Sequence, residues 1–390
     1  MLYPEKMLAA LQAKRGRFAQ FEKSRQEDLQ ALSLSLGSLL TLSLDEIESR
    51  LAGIPWPGAY PTAELEEQRE AILRFPIKWA NHREAREWAL AVLKDVPSFV
   101  VDGSQIPSTK DISVPVALVQ VGWFENPHRS DSSYVKDVDV EVLPPDELAG
   151  DEYGEAGFSS NIVDWHRFRK EVGRLTAYMR AKSGSTPTPA CFLDGTLVVS
   201  FAQNLVPQWQ KAYVEAIVGL LDVSEQTGIP VVGYVDTSYA RDLTRMLTYL
   251  FEMRLTSNIS DAGLLRARMS WGDRTPVYIC ARGDDLPGKE YYERVCFVYL
   301  KTTTDNPPAR VEFPRWVYES RRHNWLLDLV RAECVINNGY PYPLETADAV
   351  AVLTQRDREQ FLRLLQQFMQ EEGVSLRFSR KAVSKRGRRI

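Results

Sequence analysis

The sequence predicts an α/β core behind a helical lobe, on three observations. Apolar residues recur at helical spacing through roughly the first hundred positions. At Pro97 the texture changes to short β-branched runs, and beyond it strand-like and helix-like segments alternate.

The elements follow in order. Met7, Leu8 and Leu11, then Phe18 and Phe21, lie among Glu, Lys, Arg and Gln, which reads as helix. Ser43 and Glu46 have capping-box spacing and start a short helix at Leu44, which IPWPGAYP breaks. Another helix opens after Thr62 with Glu64 and Glu66 at its positive end, is interrupted by Pro76, and gives way to WANHREAREWALAVLKD. SFVVD and VPVALVQVGWF then read as strands, and the alternation Val138, Val140, Val142 as a third. Ile162, Trp165, Phe168, Val172, Leu175 and Met179 mark a helix closed by SGSTPTP. CFLDGTLVVSF reads as a buried strand, followed by a helix over about 207–226, the strand IPVVGYVD and a helix over about 239–253. PVYICA, RVCFVYLKT and ARVEFP are later strands, and helices near 326–334 and 357–371 lead into the basic tail RFSRKAVSKRGRRI.

Composition bounds the function. Hydrophobic residues at 44% and charged residues at 26% of 390 are those of a folded globular chain. No apolar run approaches the roughly 20 residues of a spanning helix, and the amphipathic, charged start is unlike a signal peptide. A cytoplasmic protein without membrane partners is expected. The net charge of −4 gives no general attraction to nucleic acid, so any such surface must be local. Cys191, Cys280, Cys296 and Cys334 stand alone in apolar runs and read as buried thiols, and His82, His128, His166 and His323 lack metal-ligand spacing, so no zinc is expected. No GxxxxGK[ST] loop is present, so ATP hydrolysis is not expected of this chain.

The carboxylates are more informative. Asp102 ends a strand in VVDGS, Asp194 ends another in FLDGT, and Glu171 sits between Phe168 and Leu175 at the edge of a core-facing helix stripe. Singly, an Asp before Gly suits a turn and a helical Glu suits a solvated face. Jointly, strand Asp, antiparallel strands, helix Glu and strand Asp come in the order by which a ribonuclease-H-like fold assembles carboxylates for divalent-metal hydrolysis of a phosphodiester. FLDGTL also invites comparison with the haloacid-dehalogenase phosphatases, but Phe192 stands where their nucleophilic aspartate would be, which removes the attacking atom.

VVDGS at Asp102, the helix carrying Arg167 and Glu171, FLDGTL at Asp194, RVEFPRW from Arg310 and GYPYPLETAD from Gly339 together resemble the NurA nuclease family over roughly 102–354. That resemblance implies a ribonuclease-H-like mixed sheet flanked by helices, one or two Mn2+ or Mg2+ ions, a homodimer, and a HerA-type hexameric ATPase partner in double-strand break repair. It implies Asp102, Glu171 and Asp194 as metal ligands and Tyr340 near the scissile phosphate. Where relatives usually carry a histidine after the GYP motif, this chain has Asp348, a hard oxygen donor that cannot act as an imidazolium acid. The ligand set expected is therefore Asp102, Glu171, Asp194 and Asp348, with Tyr340 joining the first three in catalysis. Asp236 stands near a place where many relatives carry lysine, and a helix-capping role shared with Ser238 is expected of it.

The corresponding organisation is a helical lobe over 1–96 for dimer or partner docking, a nuclease core over 97–356, and a C-terminal helix and basic tail over 357–390. The expected activity is a 5′–3′ exonuclease or single-strand endonuclease on DNA. A catalytically weak DNA-binding adaptor of the ATPase and a ribonuclease are the alternatives. Arg266, Arg268, Arg274, Arg321 and Arg322 are candidate phosphate contacts, more often ion-paired than DNA-bound in such settings, and the tail from Arg377 is the stronger candidate, with contact to DNA and to a protein partner weighed equally there.

Overall fold

The computed structural model describes residues 2–148, 160–377 and 379, and the fold is mixed α/β with nine strands. In chain order the elements begin with α1 (Pro4–Gln12), α2 (Arg15–Leu39), α3 (Leu44–Leu51), β1 (Gly58–Pro61), α4 (Ala63–Gln68) and α5 (His82–Leu93). Then come β2 (Ser98–Ile106), β3 (Ala117–Asn126), β4 (Val135–Leu143), α6 (Pro145–Leu148), α7 (Ser160–Ala181), β5 (Ala190–Asp194), α8 (Pro207–Thr227) and β6 (Val231–Val235). The last are α9 (Asp242–Leu250), α10 (Asp261–Leu265), β7 (Tyr278–Ala281), β8 (Val295–Leu300), β9 (Ala309–Pro314), α11 (Arg315–Glu319), α12 (His323–Ile336), α13 (Tyr342–Ala351) and α14 (Gln355–Glu371). The chain forms two compact units, one of residues 1–84, 196–198 and 233–324, the other of 85–195, 199–232 and 325–390.

In the first unit the strands run in the order β1-β7-β8-β9-β6, and each of these pairs is antiparallel. β8 and β9 are buried along their whole length, β8 as an apolar run and β9 with Arg310 and Glu312 among its apolar residues. β1 corrects the sequence reading, which took IPWPGAYP as a break alone. At an edge, where Pro61 costs no central ladder bond, Gly58–Pro61 pairs with β7. Gly58, at φ 106°, lies so close to the Asp242 carbonyl that a Cβ would sit 2.3 Å from its oxygen, so only glycine fits. α2 packs through Leu32, Leu36 and Leu39, and Asp28 Oδ2 accepts from the amides of Thr256 and Ser257 at 2.9 and 2.7 Å. α1 buries no residue.

Arg274 takes the ion-paired alternative expected of it, and the cap of α9 is not where the sequence put it. Arg274, a candidate phosphate contact, is buried and forks onto Glu64 at 2.8 and 2.6 Å, so it is structural. The cap of α9 is Asp261, whose carboxylate accepts from Leu243 N and Thr244 N at 3.0 and 2.8 Å, whereas Ser238 Oγ accepts only from Ala240 N. The RVEFP motif enters this buried polar network. Arg310 donates to Glu312 at 2.6 Å and pairs with Asp242 at 2.9 Å, and Glu312 accepts from Thr196 Oγ1 and Leu197 N.

In the second unit the order is β4-β3-β2-β5-β6, with β2, β3 and β4 an antiparallel run and β5 parallel to β2. Three hairpin-linked strands, a helical crossover through α7, a strand alongside the first, and a second crossover through α8 make the ribonuclease-H-like order expected from the sequence. Against the loop that follows β2, Phe361, Leu362 and Leu365 of α14 pack on Ile112 and Val116, and Arg377 N donates to Ser113 Oγ. Within the basic tail, positions 380–390 lie outside the described residues. All four cysteines are free and buried.

Candidate metal centre

The centre starts from strand register. β2 and β5 pair in parallel with Val101 opposite Leu193, so one step further Asp102 and Asp194 stand side by side, about 5 Å apart at the backbone. The amide of Gly103 donates to Asp102 Oδ1 at 2.7 Å and fixes that carboxylate at the strand's exit from the core.

Alternation along β2 separates two faces. Gly103 and Gln105 face α7. A Cβ at residue 103 would lie 2.3 Å from Glu171 Oε1 and 2.6 Å from Arg167 Cγ, so the glycine that follows Asp102 is the gap through which a helix carboxylate presses against strand backbone. Arg167 Nη1 donates to Glu171 Oε1 at 3.0 Å, one turn along α7. The face of Asp102 and Ser104 meets α13. Gly122, opposite Asp102 on β3, leaves room for Val350 and Ala351, Gln120 Nε2 donates to the Ala351 carbonyl at 3.0 Å, and Ser104 Oγ accepts from Leu353 N at 3.2 Å. These contacts place exposed Asp348 of α13 within electrostatic reach of Asp102. Tyr340, just before α13, donates its hydroxyl to Asp194 Oδ2 at 3.2 Å.

The electrostatics show an excess of negative charge. Burial pushes the Asp102 carboxyl up to about 6, opposed by the Gly103 amide and Arg167 and reinforced by the charges of Asp194 and Asp348. Burial likewise pushes Glu171 up to about 7, with Arg167 opposing and Asp102 and Asp194 adding to the rise. A divalent cation fits such a donor set, since every candidate ligand is a hard carboxylate oxygen and the charge is only partly offset by one arginine.

The structure sets Asp194 beside Asp102 with Tyr340 on Asp194, and puts Glu171 and Asp348 near enough to Asp102 to act on its charge. Arg167, marked in the sequence only as part of the helix motif it shares with Glu171, stands among the acids. Glu141, Glu147 and His166 gather with ligand atoms within 4.8 Å of one another, although their sequence spacing suggested nothing. Lys170 and Arg169 lie 3.3 and 3.6 Å from the Glu141 carboxylate, which answers much of that group's charge.

With this geometry in hand, the sequence model of the NurA domain matches residues 98–353. No curated protein matches the chain. Among solved structures the chain is similar to a crystal structure of NurA at 10% identity and TM-score 0.41, covering 70% of this chain and 88% of that one. It is also similar to the catalytic domain of human endonuclease V, at 12% identity and TM-score 0.33, covering 73% and 96%. The endonuclease V of Ciona intestinalis in complex with a 24mer DNA gives 11% identity and TM-score 0.31, covering 72% and 96%.

Proposed function

Since the chain belongs to the NurA nuclease family, we propose that it is a divalent-metal-dependent deoxyribonuclease that processes DNA ends. The observation that carries this reading is the convergence of Asp102, Glu171, Asp194 and Asp348 from β2, α7, β5 and α13, with two of the four held above the ordinary carboxylate range by burial and mutual repulsion. These four would hold Mn2+ or Mg2+, one ion or two. When bound, the metal would supply a water acidic enough to attack a phosphodiester near neutral pH and would stabilise charge on the leaving oxygen. Tyr340 orients the Asp194 carboxylate through its hydroxyl and presents a ring on which a base can stack. Asp348 would add an oxygen ligand but offers no imidazolium proton.

A second copy of the chain and a HerA-type hexameric ATPase complete the proposal, in 5′–3′ exonuclease or single-strand endonuclease work at double-strand breaks in the cytoplasm. Exposed Met7, Leu8, Leu11, Phe18 and Phe21 on α1 and α2 support a docking role for the amino-terminal helices. No helix of the described residues is long and apolar enough to cross a membrane. Asp348 favours one second reading, a DNA-binding adaptor of the ATPase with weak cleavage.

The test is cleavage of end-labelled single- and double-stranded DNA with Mn2+, Mg2+ or EDTA, with RNA as competitor, by the parent chain and Asp102→Ala. Metal-dependent cleavage lost on substitution supports the nuclease. Equal residual cleavage by both proteins supports the adaptor, and preferential cleavage of the competitor supports a ribonuclease.

A further inference from the structure

We propose that Arg167 is a catalytic residue of this centre, contacting a non-bridging oxygen of the substrate phosphodiester through its Nη2 group; the inference rests on the nuclease reading above. Asp164, Arg167 and Glu171 recur at three and four residues on α7 and so share one face, which looks onto Gly103 and Gln105 of β2. Side chains link the two elements in series. Gln105 Nε2 donates to Asp164 Oδ1 at 2.6 Å, Arg167 Nε donates to Gln105 Oε1 at 3.2 Å, and Arg167 Nη1 donates to Glu171 Oε1 at 3.0 Å.

A guanidinium is planar, so bonds at Nε and Nη1 fix the direction of Nη2 as well. Nη2 has no hydrogen-bond acceptor among the described residues, and the Arg167 side chain is 34% exposed beside a Glu171 side chain that is only 8% exposed. A counter-ion for Glu171 alone would need neither the Gln105–Asp164 brace nor an open side. The surroundings define the chemistry of the ligand. Arg167 is the cation that opposes the raised carboxyls of both Asp102 and Glu171, so an anion approaching this acidic patch meets its attraction there. With Nε and Nη1 engaged, Nη2 is left to donate to one non-bridging oxygen in a direction that a lysine ammonium would not have fixed.

The experiment compares the parent with Arg167→Ala, Arg167→Lys and Gln105→Ala. Affinity for a fluorescein-labelled thymidine oligonucleotide is measured against salt in an Asp102→Asn background, and cleavage in the otherwise native chain, with Mn2+ affinity and thermal stability alongside. Arg167→Ala should weaken binding about tenfold and lower the slope of log affinity against log salt by about one contact. Arg167→Lys and Gln105→Ala should keep that slope and lose at least tenfold in cleavage rate, because charge survives while its direction does not. Arg167→Ala with parental affinity and slope, changing only Mn2+ affinity or stability while the parent cleaves DNA, would overturn the inference alone. A parent that neither binds nor cleaves DNA would overturn the nuclease reading and this inference together.

Discussion

Asp102 sits where its charge is poorly tolerated, and stability should report that without any activity assay. Its carboxyl is raised to about 6 in the fold against an ordinary 3.8, so the folded state holds the proton more tightly than the unfolded state does. The cost of ionising it therefore grows as pH rises from about 4 to 6 and is fully present at pH 7.5. In EDTA, Asp102→Asn should stabilise the apo-protein by roughly 1–3 kcal/mol, and in Mn2+ by less, since metal binding favours the parent. Thermal melts in the two buffers check this, and an Asn variant less stable than the parent in EDTA would contradict it. Tyr340→Phe removes the hydroxyl that donates to Asp194. It should slow cleavage about tenfold and leave stability within about 0.5 kcal/mol, because the contact is exposed. Asp194 was legible because a strand end followed by glycine leaves a local trace; Asp102 carries the same Asp-Gly trace, but β2 runs on to Ile106, so it does not end the strand as the sequence suggested. The grouping of Glu141, Glu147 and His166 was not legible, since it exists only once β4, α6 and α7 have packed.

At the scale of elements, the centre depends on how closely helices approach the strands. A Cβ on Gly122 would meet Val350 Cγ1 at 2.8 Å and the Ala351 amide at 2.9 Å, and backbone cannot swing away as a side-chain tip can. Gly122→Ala should therefore displace the end of α13, destabilise the fold by about 1–3 kcal/mol, and impair cleavage by moving Asp348. Faster hydrogen exchange at Leu353, whose amide bonds Ser104, would report the displacement directly, and parental exchange with parental cleavage would refute it. β-Branched and apolar runs made β2 and β3 readable, alternation made β4 readable, and period 3.6 made α7 readable. α13 left no comparable trace, because Pro341 and Pro343 look like breakers although proline is tolerated at a helix's first turn. β1 was hidden in the same way between prolines, its partner more than 200 residues further along.

Over the whole molecule, contacts between distant parts of the chain carry much of the first unit, and local reading could not supply them. Asp28 meets Thr256 and Ser257, and Glu64 meets Arg274 and His323. Burial alone would raise the Glu64 carboxyl, but hydrogen bonds from Arg274 and His323 and the Arg274 charge outweigh it and hold the pKa at about 2 against an ordinary 4.5. A depressed acid contributes above its unfolded pKa and loses its contribution as pH falls through the folded one. On the order of 3 kcal/mol of stability should thus disappear between about pH 4.5 and 2. Denaturant melts across that window should show a flatter profile for Glu64→Gln, which should also be less stable than the parent at pH 7; parallel profiles would dismiss the assignment. The central claim, that the acids on β2, α7, β5 and α13 hold the metal, is met most directly by Mn2+ titration followed by electron paramagnetic resonance. The parent should bind one or two ions that Asp102→Asn with Asp194→Asn abolishes and His166→Ala leaves in place. Binding unchanged by the paired substitution but lost with His166→Ala would put the ion at Glu141, Glu147 and His166 and contradict the account.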